Sequence, residues 1–279
     1  MDELLKHVDW PSDIKGLSVK ELKQLAGEIR EFILASLSKT GGHLASNLGA
    51  VELTLALHYC FDFPEDRLVW DVGHQCYTHK IITGRKDLFD RLRKANGISG
   101  FPDPAESEYD LFKVGHAGTA IPCAIGLALG EQIKQAGEDT ERRRVVAMVG
   151  DATIGNGLAF EGLNNLSLVK RQLLILLNDN SMAIDATVGA TATYFSRIRL
   201  SHTYDDIRKT TRMILEHVPK IGRSMEGAVE RIKKHLRMVR PTSQLFEALN
   251  IPYFGPVDGH DLDSLIQLFT ALKEVNHPV

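Results

Sequence analysis

The sequence predicts an α/β fold: a mostly parallel sheet with helices on both faces. Three observations predict it. Short apolar runs of strand length alternate with longer stretches of helical periodicity. Two of those runs, residues 144–150 and 172–178, bracket a helical stretch at 157–169. That is a βαβ unit, whose strands are parallel and whose crossover is right-handed. The chain is also long enough for a sizeable core, with 279 residues, 43% hydrophobic and 25% charged, the profile of a globular protein.

Taken in order, residues 20–37 read as an amphipathic helix that stops before Gly41 and Gly42, and 49–60 as a second helix. "DRLVWDVGH" is a short strand running into a polar, glycine-containing turn. Residues 80–96 have helical spacing and 97–113 read as a loop. "TAIPCAIGLALGEQIKQAG" is a helix rich in small residues that opens after Gly115, His116, Ala117 and Gly118. The βαβ unit follows. Residues 191–240 are polar and broken, and are expected to form a helical insert. "LFEALNIPYFGPVDGHDLDSLIQLFTALKEV" reads as helix, strand, loop and helix. Strands alternating with helices build a sheet covered on both sides.

Net charge is −3, so bulk charge does not point to nucleic acid. Twelve Lys/Arg and five Asp/Glu fall within 191–240. Solvated helix faces account for such a bias, and a lid over an anionic ligand is the alternative. The three cysteines have no metal-type spacing, which suits a reducing compartment. The opening "MDELLKHVDW" is acidic and lacks an apolar stretch, so no signal peptide is expected. No apolar run approaches the roughly 20 residues of a membrane span. A cytoplasmic, non-membrane protein is the expectation.

The candidate chemistry lies just past the strand ends. Asp151 closes one apolar run; Asn178, Asp179 and Asn180 close the next, about thirty residues later. Parallel strands end at one sheet edge, where open α/β sheets bind ligands. A carboxylate and an amide oxygen suit Mg²⁺, which completes its octahedron with phosphate oxygens and water. The helix opening near residues 155–157 would offer backbone N–H groups to a phosphate. The same pattern also fits a capped strand end and an Asn-Asp-Asn turn. Neither GxGxxG after a strand nor GxxxxGK[ST] occurs, which argues against dinucleotide and P-loop sites.

The stretch from Asp151 to Met182 resembles the thiamine-diphosphate signature of the transketolase superfamily. Further segments narrow the resemblance. "SLSKTGGHLASNLGAVELTLALHY", "WDVGHQCYTHKIITGR", "ESEYD", "VGHAGTAI", "NDNSMAI" and "GPVDGHD" are similar to the 1-deoxy-D-xylulose-5-phosphate synthase family over nearly the whole chain. The resemblance implies a thiamine-diphosphate-binding fold and the joining of pyruvate to glyceraldehyde 3-phosphate with loss of CO₂. That step feeds isoprenoid-precursor and thiamine synthesis. The implied cofactors are thiamine diphosphate and Mg²⁺. Asp151, Asn180 and the Met182 carbonyl would hold the metal. His74, Gly115, His116, Ala117, Ala152, Thr153 and Asn180 would contact the cofactor. His43 would be the catalytic histidine. His260 lies in "GPVDGHD" without an assigned role.

The sequence departs from the family pattern in places. Gly-Asp-Gly has become Gly-Asp-Ala at Ala152, and Gly118 and Ala120 stand where the family usually has serines. At 152, a requirement for positive φ would cost alanine about 1 kcal/mol. The family also runs to about twice this length, with pyrimidine and C-terminal domains beyond the diphosphate-binding one. The expectation is therefore a diphosphate-binding domain over 1–279, completed by a companion chain or subunit in a homo-oligomer and inactive alone. A transketolase-like subunit with another donor, and a non-catalytic binding module, are the competing readings.

Overall fold

The computed structural model describes residues 3–135, 143–179 and 244–279. Strands β1 (Arg67–Trp70), β2 (Val145–Gly150) and β3 (Leu174–Asn178) are parallel and lie in the order β1-β2-β3. Trp70 pairs with Met148, and Gly150 with Asn178. All three strands therefore leave the sheet at one edge. On the far side of β3, Val279 donates to the Leu173 carbonyl and accepts from the Ile175 amide, both at 2.9 Å.

The pleat sorts the strand side chains. Leu68, Trp70, Val146, Met148 and Leu174 enter one core; Val69, Val145, Ala147, Val149 and Leu173 enter another. Strands buried on both faces read as unbroken apolar runs, which is why they were visible in the sequence.

After α1 (Pro11–Ile14), α2 (Val19–Thr40) opens with a capping box: the Ser18 hydroxyl accepts from the Glu21 amide, and Glu21 accepts from the Ser18 amide at 2.7 Å. The reciprocal bonds satisfy two orphan donors at the helix start. Leu22, Leu25, Ile29, Ile33 and Leu37 form its buried stripe, and Gly41 ends it at φ +70°. α3 (Leu44–Leu48) and α4 (Val51–Cys60) follow, α4 being buried nearly all round. Helices α6 (Ala120–Gln135) and α7 (Gly157–Asn165) cover the second core. α8 (Gln244–Ala248) and α9 (Leu262–Leu272) complete the described helices, and α9 packs on α4. No helix of the described residues is long and apolar enough to cross a membrane.

Two expectations are corrected. Residues 80–96 are not one helix. α5 (Tyr77–Lys80) runs into Ile81–Arg85, which leaves helical geometry at Thr83 and at Gly84, φ +79°. A 3-10 helix at Lys86–Arg91 follows. The Trp10 ring occupies the space above Gly84, where a Cβ would come within 2.5 Å of it. The strand expected after α8 does not form either: residues 251–258 carry no regular structure. Pro252 and Pro256 remove two backbone donors there. The expected insert at 191–240 lies outside the described residues.

Candidate functional site

Each strand hands its chain to a polar residue at the same edge. Past β1 that residue is Asp71, 1% exposed, whose carboxylate accepts from the amides of Gly118 and Ala120 at 3.2 and 3.1 Å. One buried acid thus ties the turn at residues 115–118 and the start of α6 to the sheet. Gly118 has φ +88°, and a Cβ there would lie 2.6 Å from Asn156 Cγ. Gly115, His116 and Ala117 are exposed, and a Cβ on Gly115 would meet nothing within 4 Å among the described residues. Asn156 also caps α7, accepting from the Leu158 amide at 2.9 Å. The Leu158 amide, next to the 155–157 stretch expected to face a phosphate, is committed within the chain.

Past β2, the Asp151 amide donates to the Asn178 carbonyl at 3.1 Å. Asp151 therefore sits against the end of β3, two residues before Asn180. Asn178 in turn donates through its side chain to Gln75 at 3.0 Å, bridging back to the chain beyond β1. Thr153 donates both its amide and its hydroxyl to the Gly150 carbonyl, closing the turn that carries Ala152. Ala152 is not among the non-glycine residues with positive φ, so alanine brings no strain there. Asn180 and Met182 lie outside the described residues. Among the described residues, no three or more His, Cys, Asp or Glu cluster in a metal-binding arrangement; the Mg²⁺ set expected here has a single carboxylate.

His43 and His74 stand edge to face, ring centroids 5.6 Å apart, with Phe101 5.5 Å from His43 on another side. Asn47, fully buried, organises them. Its Nδ2 donates to the carbonyls of His43 and His74 at 2.6 and 2.8 Å, and its Oδ1 accepts from the Tyr77 amide at 2.8 Å. The Tyr77 hydroxyl lies 3.5 Å from His43 Nδ1. Burial, then the neighbouring His74 and Arg93, push His43 below the ordinary imidazole value. Burial does the same to His74, against the pull of Asp71. Both rings are thus held neutral near pH 7, able to accept a proton. Among the described residues, the buried His74 Nδ1 has no hydrogen-bond partner.

Sequence reasoning missed Asn47, Asp71 and Tyr77. Asp71 carried the same signal as Asp151, an acid just past an apolar run. Asn47 carried none, because its partners are two carbonyls far apart in the chain. His260 now has a place: its Nδ1 lies 3.0 Å from Glu52, which also pairs with Arg30 at 2.5 Å. The histidine fastens the "GPVDGHD" loop to α4. Beside it, an apolar cavity of about 710 Å³ runs between β3 and residues 251–260, and its lining does not include His43, His74 or Asp151.

A transketolase variant from Pichia stipitis superposes on 92% of the chain and 35% of its own length, with a TM-score of 0.63 and 15% identity. That likeness speaks for the fold. Sequence relatives are much nearer. The 1-deoxy-D-xylulose-5-phosphate synthase of Thioalkalivibrio sulfidiphilus is 48% identical over 99% of the chain, and that of Clostridium kluyveri 45% identical over all of it. The chain spans only 42% and 44% of those two proteins. A sequence-family model described as 1-deoxy-D-xylulose-5-phosphate synthase matches residues 5–279. With the match continuous from the first turn to the strand partner of β3, the chain belongs to the 1-deoxy-D-xylulose-5-phosphate synthase family.

Proposed function

We propose that this chain supplies the diphosphate-binding half of a thiamine-diphosphate site. In the whole enzyme the site would join pyruvate to glyceraldehyde 3-phosphate with loss of CO₂. The observation that carries the reading is the arrival at one sheet edge of Asp151, the Asp71-tethered turn 115–118 and the chain leading to His74. The residues fit such a group in three respects. Asp151 is an acid at the end of a central parallel strand, Gly115 leaves open space, and the unpartnered His74 Nδ1 can meet a polar ligand atom. Asp151 would hold Mg²⁺ together with Asn180 and the Met182 carbonyl; His74, Gly115, His116, Ala117, Ala152 and Thr153 would line the diphosphate.

When bound, thiamine diphosphate supplies the carbanion chemistry. The chain's own contribution is to position and to move protons. With Nδ1 of His43 facing the Tyr77 hydroxyl, Nε2 is the nitrogen that would take up or return a proton beside the substrate. The pyrimidine half would come from a companion chain, or from the remainder of the length seen in the relatives, within a cytoplasmic homo-oligomer.

One observation favours a second reading, a binding module without catalysis. Gly118 and Ala120 offer no hydroxyl, and both of their amides are spent on Asp71. Calorimetric titration of the chain with thiamine diphosphate and Mg²⁺ separates the two. Saturable binding that Asp151→Ala abolishes supports the cofactor site. An absence of binding in the folded wild-type chain favours the module.

A further inference from the structure

We propose that the buried charge network of Lys80, Arg85, Glu106 and Asp110 is a positioning device that seats Phe101 on His43. The proposal rests on the reading of His43 as a site residue.

Lys80 is fully buried and pairs with Glu106; Arg85, 3% exposed, grips Asp110 through both terminal nitrogens at 2.5 and 3.1 Å. His79 Nε2 lies 2.8 Å from the same Asp110 carboxylate. Burial alone would raise the Asp110 carboxyl, but the bonds from His79 and Arg85 outweigh it and hold it well below the ordinary range. The outward-facing lone pairs of the two acids are used in one way. Glu106 accepts from the Ser99 amide at 2.6 Å, and Asp110 accepts from the Asp103 amide at 2.8 Å. Those two amides bracket Phe101. The loop is thus clamped on either side of the ring that packs on His43, while α5, which carries Lys80 and His79, also carries Tyr77, whose hydroxyl lies 3.5 Å from His43 Nδ1.

A network of this kind is a costly way to gain stability, since desolvating the ions offsets most of their attraction. It is well suited to fixing one geometry. The protonation pattern is fixed too. An ionised Asp110 requires a proton on His79 Nε2, and burial favours the neutral form of His79, so its Nδ1 accepts and His58 Nε2, 2.9 Å away, donates. His58 Nδ1 is then a bare acceptor, in agreement with its lack of a partner. Both buried rings are Nε2–H tautomers.

The test is histidine NMR on the full, ligand-free chain. Among the described residues, the ionisable groups facing His43 are His74, Arg93 and the Tyr77 hydroxyl, and none of them is altered. Asp110→Asn should move the His43 titration upward toward 6.5 and speed amide exchange at Asp103 by about tenfold or more. Phe101→Ala should produce the same upward movement without faster exchange at Asp103. If Asp110→Asn does not fold, Glu106→Gln carries the test, with Ser99 as the reporting amide. A folded network variant with unchanged His43 titration overturns the proposal, as does Phe101→Ala with no effect. Should His43 shift in both variants while the wild-type chain binds no thiamine diphosphate and Mg²⁺, the positioning role stands and the cofactor-site reading fails.

Discussion

Gly118 and Asn156 are packed so closely that no side chain fits between them: a Cβ on Gly118 would fall 2.6 Å from the Asn156 amide carbon. Gly118 is also one of the positions at which the resemblance to the family leads one to expect serine. Its φ of +88° disfavours any residue with a Cβ. Restoring serine is therefore expected to harm the protein. Gly118→Ser should cost roughly 1–3 kcal/mol, from backbone strain and overpacking together. Urea unfolding measures it, and a serine variant as stable as wild type would show that the turn can rearrange.

Asn47 makes three hydrogen bonds from a fully buried position. Asn47→Ala leaves the Tyr77 amide and two carbonyls short of partners, at a cost of about 2–4 kcal/mol. It should also change the ring-to-ring contact of His43 and His74 in NMR spectra. A variant that loses stability but keeps that contact would limit Asn47 to a structural role.

Acid sensitivity should begin near neutrality. Burial lowers both His58 and His79 from an ordinary value of 6.5. The folded state resists protonating them, while the unfolded chain takes up protons once the pH drops below that value. Stability is therefore full above pH 6.5 and declines below it. Each ring contributes up to about 1.4 kcal/mol per pH unit until its folded-state value is reached. Unfolding free energies measured from pH 7.5 to 5.5 test this, and a flat profile would contradict it.

Glu52 acts at lower pH. Burial would raise its carboxyl, but hydrogen bonds from Arg30 and His260 outweigh this and leave it below its ordinary 4.5. Its contribution is present above that value and fades as the pH falls through the folded-state value. Glu52→Gln should cost about 1–3 kcal/mol at pH 7, and the gap from wild type should narrow in acid. A gap that is the same at pH 7 and pH 4 would mean that packing, not charge, is what glutamine disturbs.

The strands were legible because a sheet buried on both faces writes itself as apolar runs, and Asp151 because it interrupts one. The helix expected at residues 20–37 formed as α2, whose start the Ser18 and Glu21 capping box fixes. What stayed hidden depends on residues remote in the chain. Gly84 breaks the helix after α5 under the ring of Trp10, a contact that local periodicity does not encode. Asn47 matters because it joins two carbonyls that only the folded chain brings together. Arg85 and Lys80 lie in a stretch that shows only helical spacing in the sequence, yet they are enclosed.

Cys76 precedes Tyr77, and its thiol points at the carbonyl of Gly100, the residue before Phe101, at 3.9 Å. Burial pushes that thiol up to about 12, so the closed protein presents almost no thiolate to an electrophile. Alkylation at this position has to wait for the segment around Phe101 to lift from α5. The protein therefore carries a native stopwatch for the exposure of its histidine pair, read by the rate at which one sulfur is capped, with the partly exposed Cys123 as the running clock beside it.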